Sequence, residues 1–236
     1  MTFCTLGREI ESDLAISLPV FPASTIFFRA ARVSSVMTAR RRRLPPVVAA
    51  AAAALIGAQY RWGGWHDLAI FNDDPSRRQT TGLIRELRPE IVITSAPSDY
   101  LADHEMVSLL VRDACFAAGA PNYQVPSEAP ALDWIPHLYF MDPIEGLDRE
   151  GRPVAPDFVV DVASEFATKW AMLACHESQR NWLKAHHGMD NYLTMMEAWT
   201  RQRGASAGYE LGEGFRQYRG HPYPRTAALQ ELLGFA

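Results

Sequence analysis

Asp103 and His104 stand side by side where a short apolar run gives way to a helical pattern. A carboxylate beside an imidazole can do acid–base or metal chemistry. The ring can ligate a metal or move a proton near neutral pH, and an acid can hold it in place. Their setting fits that use. Ile91–Thr94 is a β-branched apolar run of the kind that forms a strand covered on both faces. Pro97 and Ser98 stop it, and Met106, Val107, Leu110, Val111, Ala114 and Ala118 then repeat at helical spacing to give one apolar face. In open α/β sheets, ligands gather at the carboxyl ends of strands, where the loop Ser95–Ala102 lies. The same spacing also fits a helix-capping acid beside a surface histidine, so both readings stand at this point.

Other chemistry-bearing residues are weaker candidates. Asp67, after His66 in WHDLAIF, suits either a pocket wall or a turn cap. Glu213 in LGEGF is an acid between glycines, suited equally to substrate contact and to bracing the backbone. His176 has no second ligand one helical turn away, as HExxH would supply, and is expected to be a packed histidine. His186 and His187 fall at a helix end, where basic groups favour the macrodipole, and spacing leaves His221 unassigned. Neither a Gly-rich phosphate loop nor a GxSxG elbow is present, which argues against nucleotide hydrolysis and serine hydrolysis.

The chain of 236 residues is 48% hydrophobic, enough for one large core. A net charge of −4 offers no broad basic face for nucleic acid. Cys4, Cys115 and Cys175 are scattered and form no CxxC pair, so a reducing cytoplasm is expected. No apolar run reaches the roughly 18 residues of a membrane span.

The elements that must position the candidate site read as α/β. Residues 1–46 keep no period for long and form an atypical N-terminal segment, disordered or misread, with the domain proper over 47–236. From Met37, four arginines and an alanine-rich stretch look like a twin-arginine export signal; the preferred reading is a helix entered after Pro45–Pro46. Asn72–Asp74 with Pro75 starts a helix over Ser76–Leu87, and Pro89 ends it before Ile91–Thr94. This helix–strand–loop–helix order predicts a mostly parallel sheet. Further strands are expected at His137–Asp142 and Phe158–Val162. Helices follow over Glu165–His186 and, capped by Asp190, over Asn191–Arg203, with Gly204 ending the last.

Segments in a particular order carry a further likeness: AAAAALIGA, DLAIF, IRELRPEIVIT, DYLADHEMVSLLVRDA, HLYFMDP, DFVVDV, KWAMLACHESQ and GEGFR. From about Val47 to Pro224 the chain resembles the LmbE-like (PIG-L) zinc-dependent N-deacetylases. The resemblance implies a Rossmann-like three-layer α/β sandwich. It also implies a hydrolase that releases acetate from a small N-acetylated amino sugar of the N-acetylglucosamine type. Such enzymes hold a divalent metal, usually zinc, through a histidine and an aspartate of an N-terminal His-Pro-Asp-Asp motif and a later histidine, with the motif's other aspartate as general base. Position by position, His104 matches the later metal ligand, Asp103 an acid that orients it, and, more weakly, Asp67 a substrate-contacting acid. Leu101 occupies the place of a histidine that steadies the oxyanion in many relatives.

The departure is at the front. His-Pro-Asp-Asp occurs nowhere, and no histidine precedes His66. One imidazole does not make a catalytic zinc site. Either residues 1–46 are a shifted reading frame of an ordinary member, or the motif is lost and hydrolysis is impaired, leaving a catalytically silent sugar- or glycoside-binding protein. A missing first strand would also leave the sheet with a raw edge, unless Thr25–Phe28 takes its place.

Overall fold

A computed structural model describes the backbone of residues 2–5, 25–29, 32–36, 45–176 and 192–234, with side chains from residue 49 onward. Eight strands form one sheet: β1 (Thr2–Thr5), β2 (Thr25–Arg29), β3 (Arg32–Val36), β4 (Arg61–Trp62), β5 (Ile91–Thr94), β6 (His137–Met141), β7 (Phe158–Asp161) and β8 (Gly212–Gln217). Their order is β4-β1-β3-β2-β5-β6-β8-β7. The helices are α1 (Pro45–Leu55), α2 (Asp74–Leu87), α3 (Ala102–Ala117), α4 (Phe166–Ala174), α5 (Tyr192–Ala205) and α6 (Ala228–Leu232). Together they make a mixed α/β architecture of helices packed on one sheet, the fold class that the helix–strand–loop–helix order predicts.

The sheet is mixed. Parallel pairing is found between β5 and β6, which α3 connects as a crossover, and the remaining pairs are antiparallel. In the β5–β6 register Val92 faces Leu138 and Ile93 faces Tyr139. Alternation along a strand then sends the first pair to one side of the sheet and the second to the other. Val92 and Leu138 pack with Ile84 of α2 and Val107, Leu110 and Val111 of α3. Ile93 and Tyr139 pack with Val160, Phe215 and Leu229. A third cluster joins Ala52 of α1 to Met172 and Leu173 of α4 and Met196 of α5. The alanine-rich stretch is therefore a packed helix.

β2 covers the other edge of β5, antiparallel, with Ile26 opposite Ile93 and Phe28 opposite Ile91. That is the substitution the sequence suggested for the missing first strand. Asp73 caps α2, accepting from the Ser76 amide at 2.9 Å. The helix expected over Glu165–His186 is described as far as Ala174; Trp182, Leu183, His186, His187 and Asp190 lie outside the described residues.

Two elements depart from expectation. Gly204 does not end α5, which runs on to Ala205. A Cβ there would lie 2.8 Å from the Gly212 nitrogen and the Leu211 carbonyl carbon, so Gly204 is where the helix touches the sheet. β8, absent from the sequence reading, inserts between β6 and β7. Its glycines lower strand propensity, yet they are what lets α5 and Asp142 come so close.

Candidate functional site

At the carboxyl ends of β5 and β6 lies a cavity of about 260 Å³. Ser95, Ala96, Asp99 and His104 form one wall, Asp142 to Leu147 with Pro153 and Val154 another, and Lys169, Thr200, Arg203 and Glu213 a third. This is where an α/β sheet with a β5–α3–β6 crossover places a ligand.

His104 is buried in the first turn of α3. Its Nδ1 lies 2.8 Å from Asp99 Oδ1. A carboxylate only accepts, so Nδ1 carries the proton, and in the neutral ring Nε2 keeps its lone pair. That Nε2 is buried with no hydrogen-bond partner. Asp99 is itself fixed: Oδ1 also accepts from the Leu101 amide at 3.2 Å, and Oδ2 from the Ile144 amide at 3.1 Å. The acid that orients the ring is thus Asp99, not the adjacent Asp103. Asp103 is buried too, but its Oδ2 accepts from the Leu68 amide at 2.6 Å and ties the 63–73 loop to α3. Asp67 is half-buried on that loop and does not line the cavity.

Two further acid–base pairs complete the walls. Lys169, only 1% exposed, places Nζ 2.5 Å from Glu213 Oε1 and donates to Thr200 Oγ1 at 2.9 Å. Arg203 donates from Nε to Asp142 Oδ2 at 2.6 Å, and from Nη2 to the Val154 carbonyl at 3.1 Å. Burial lifts the Asp142 carboxyl above the usual carboxylate range, and Arg203 offsets part of that. Gly214 must lack a side chain, since a Cβ there would run into the Asp142 carboxylate. Among the cavity's residues, Ser95 Oγ, His104 Nε2 and Asp142 Oδ1 are all buried without a hydrogen-bond partner. Unsatisfied polar atoms gathered on one cavity are unusual in a native core and are what a polar ligand would satisfy.

Sequence reasoning missed Asp99, Lys169, Asp142 and Arg203. Asp99 lies five residues before His104, across a loop, so no helical or strand period flags it. Lys169 carried a usable signal: it sits three residues after Phe166 and four before Leu173, on the inward stripe of α4.

The resemblance implies a zinc site here. Nε2 of His104 is a suitable donor, but no group of three or more His, Cys, Asp or Glu side chains among the described residues is arranged to hold a metal. The described donor set does not fit a catalytic zinc ion.

No family model matches the chain. Solved structures share its fold. It is similar to an N,N'-diacetylchitobiose deacetylase from Pyrococcus horikoshii, at 18% identity over 76% of this chain and 66% of that one, with a TM-score of 0.58. GalB, the 4-carboxy-2-hydroxymuconate hydratase of Pseudomonas putida, matches at 21% identity over 76% of this chain and 73% of its own, with a TM-score of 0.53. A conserved protein of Thermus thermophilus matches at 22% identity, covering 75% of each chain, with a TM-score of 0.53. A deacetylase and a hydratase thus occupy one fold, and the fold alone does not select the reaction. No helix among the described residues is long and apolar enough to cross a membrane.

Proposed function

We propose that the chain is an LmbE-like protein of the zinc-dependent N-deacetylase type whose cavity takes a small N-acetylated amino sugar, and that amide hydrolysis is impaired in it. The observation carrying this reading is the set of buried, unsatisfied atoms on the cavity residues: a hydroxyl, an imidazole nitrogen and a carboxylate oxygen. Such groups pair with the hydroxyls and amide of a sugar, and the volume is just under the roughly 300 Å³ at which small-ligand pockets begin. The likeness to the chitobiose deacetylase supports the substrate class. Impairment is supported by the donor set: His104 stands without two further ligands among the described residues, and the sequence holds no His-Pro-Asp-Asp.

A second reading keeps the same pocket without any chemistry: a catalytically silent sugar- or glycoside-binding protein. The donor set favours it: Asp99 keeps the His104 ring oriented as a pocket group, and no second and third metal ligand stand with it among the described residues. The test is zinc content and acetate release from an N-acetylglucosaminide, run beside binding of that sugar to metal-free protein. Saturable binding without acetate is the expected result. Stoichiometric zinc with turnover would refute the impairment, and absence of binding would refute the pocket assignment.

A further inference from the structure

Between β6 and β7 the chain leaves the sheet and returns as a strap, residues 143–154, that supplies one cavity wall. It turns at Glu145 and Gly146, both at positive φ, and closes on itself through the Leu147–Pro153 bridge and the Val154 amide bonded to the Gly146 carbonyl. Three bonds fasten it to the loop that carries Asp99 and to the first turn of α3. The Ile144 amide donates to Asp99 Oδ2 at 3.1 Å, the Arg149 amide donates to Ser98 Oγ at 3.2 Å, and the Arg149 guanidinium donates to Glu105 Oε2.

Glu105 is the link. Its side chain is only 7% exposed, whereas that of Arg149 is 56% exposed, so an outer residue of the strap reaches inward to a buried acid. The other Glu105 oxygen accepts from the Asp99 amide at 3.0 Å, and Asp99 holds His104 at 2.8 Å. A continuous series of contacts runs from Arg149 through Glu105 and Asp99 to His104.

We propose that Arg149 is a positioning residue for His104, acting as a latch that fixes the imidazole only while the strap lies against the mouth of the cavity. Charge-assisted contacts to a buried acid hold well in a low-dielectric setting. Releasing Arg149 leaves Glu105 buried without its cation and loosens its hold on the Asp99 backbone. The His104 ring then loses its fixed acceptor. The latch follows from geometry alone and holds whether or not the cavity turns over its ligand.

The test is hydrogen exchange of the His104 Nδ1 proton in the full ¹⁵N-labelled chain, assigned by its loss in His104→Gln. The Trp134 indole proton, bonded to the Pro89 carbonyl at 2.9 Å, serves as an internal reference outside the strap. Arg149→Ala should speed His104 exchange at least about tenfold, the scale expected for losing a hydrogen bond to a charged group. It should leave Trp134 unchanged, and Arg149→Lys should restore part of the protection. Unchanged His104 exchange in Arg149→Ala would overturn the proposal. So would equal acceleration at Trp134, or a wild-type His104 proton that exchanges too fast to be seen.

Discussion

Asp99 accepts three N–H groups on one carboxylate: those of His104, Leu101 and Ile144. An amide has a single acceptor oxygen, so Asp99→Asn leaves buried donors unpaired. It should cost about 1–3 kcal/mol in a urea melt. Lys169 and Glu213 present the same problem with full charge. Lys169→Met removes the buried ammonium that contacts Glu213 and Thr200 and should cost about 3–5 kcal/mol; a Glu213→Leu change added to it should recover part of the loss. His176 titrates in the opposite sense from a stabilising cation. Burial pushes it down to about 4 from its ordinary 6.5. Its folded pKa lies below its unfolded one, so its contribution is complete above pH 6.5 and is lost as pH falls toward 4. The loss amounts to about 3 kcal/mol, and His176→Gln should flatten the stability–pH curve across that window in melts at about pH 7, 5 and 4.

At the scale of elements, two backbone surfaces meet at Gly204. Alanine is the better helix former by about 1 kcal/mol. Here, however, a methyl group would press on the Gly212 nitrogen and Leu211 carbonyl, neither of which can rotate away. Gly204→Ala should therefore destabilise by about 1–3 kcal/mol in thermal or urea melts, against its helix propensity. The same contact explains what the sequence did and did not disclose. β5, α2 and α3 were legible because β-branched runs, caps and one-sided apolar repeats are local signals. β8 was not, because Gly212 and Gly214 are there for the approach of α5 and Asp142, a tertiary demand that weakens the local strand pattern. The antiparallel cover of β5 by β2 was legible as a need, an edge requiring a partner, more than as a pattern. The site divided in the same way. His104 stood out beside its helix, whereas its orienting acid comes from across a loop and the lysine on the far wall from another helix. Only the fold brings them to one cavity.

For the molecule as a whole, the sheet is covered on both sides of β5, the α/β layers are packed, and the cavity at the strand ends carries oriented polar groups. The donor set for a catalytic zinc ion is incomplete among the described residues. In the proposed reading a pocket and its chemistry are separable, because a ligand in the cavity would meet all three walls while zinc-dependent hydrolysis needs a few atoms around one metal. The most direct test is acetate release from an N-acetylglucosaminide by the purified full chain supplied with zinc. No acetate above the protein-free background, together with saturable binding of the sugar, is the expected result. Sustained acetate release that scales with protein and with bound zinc would contradict it.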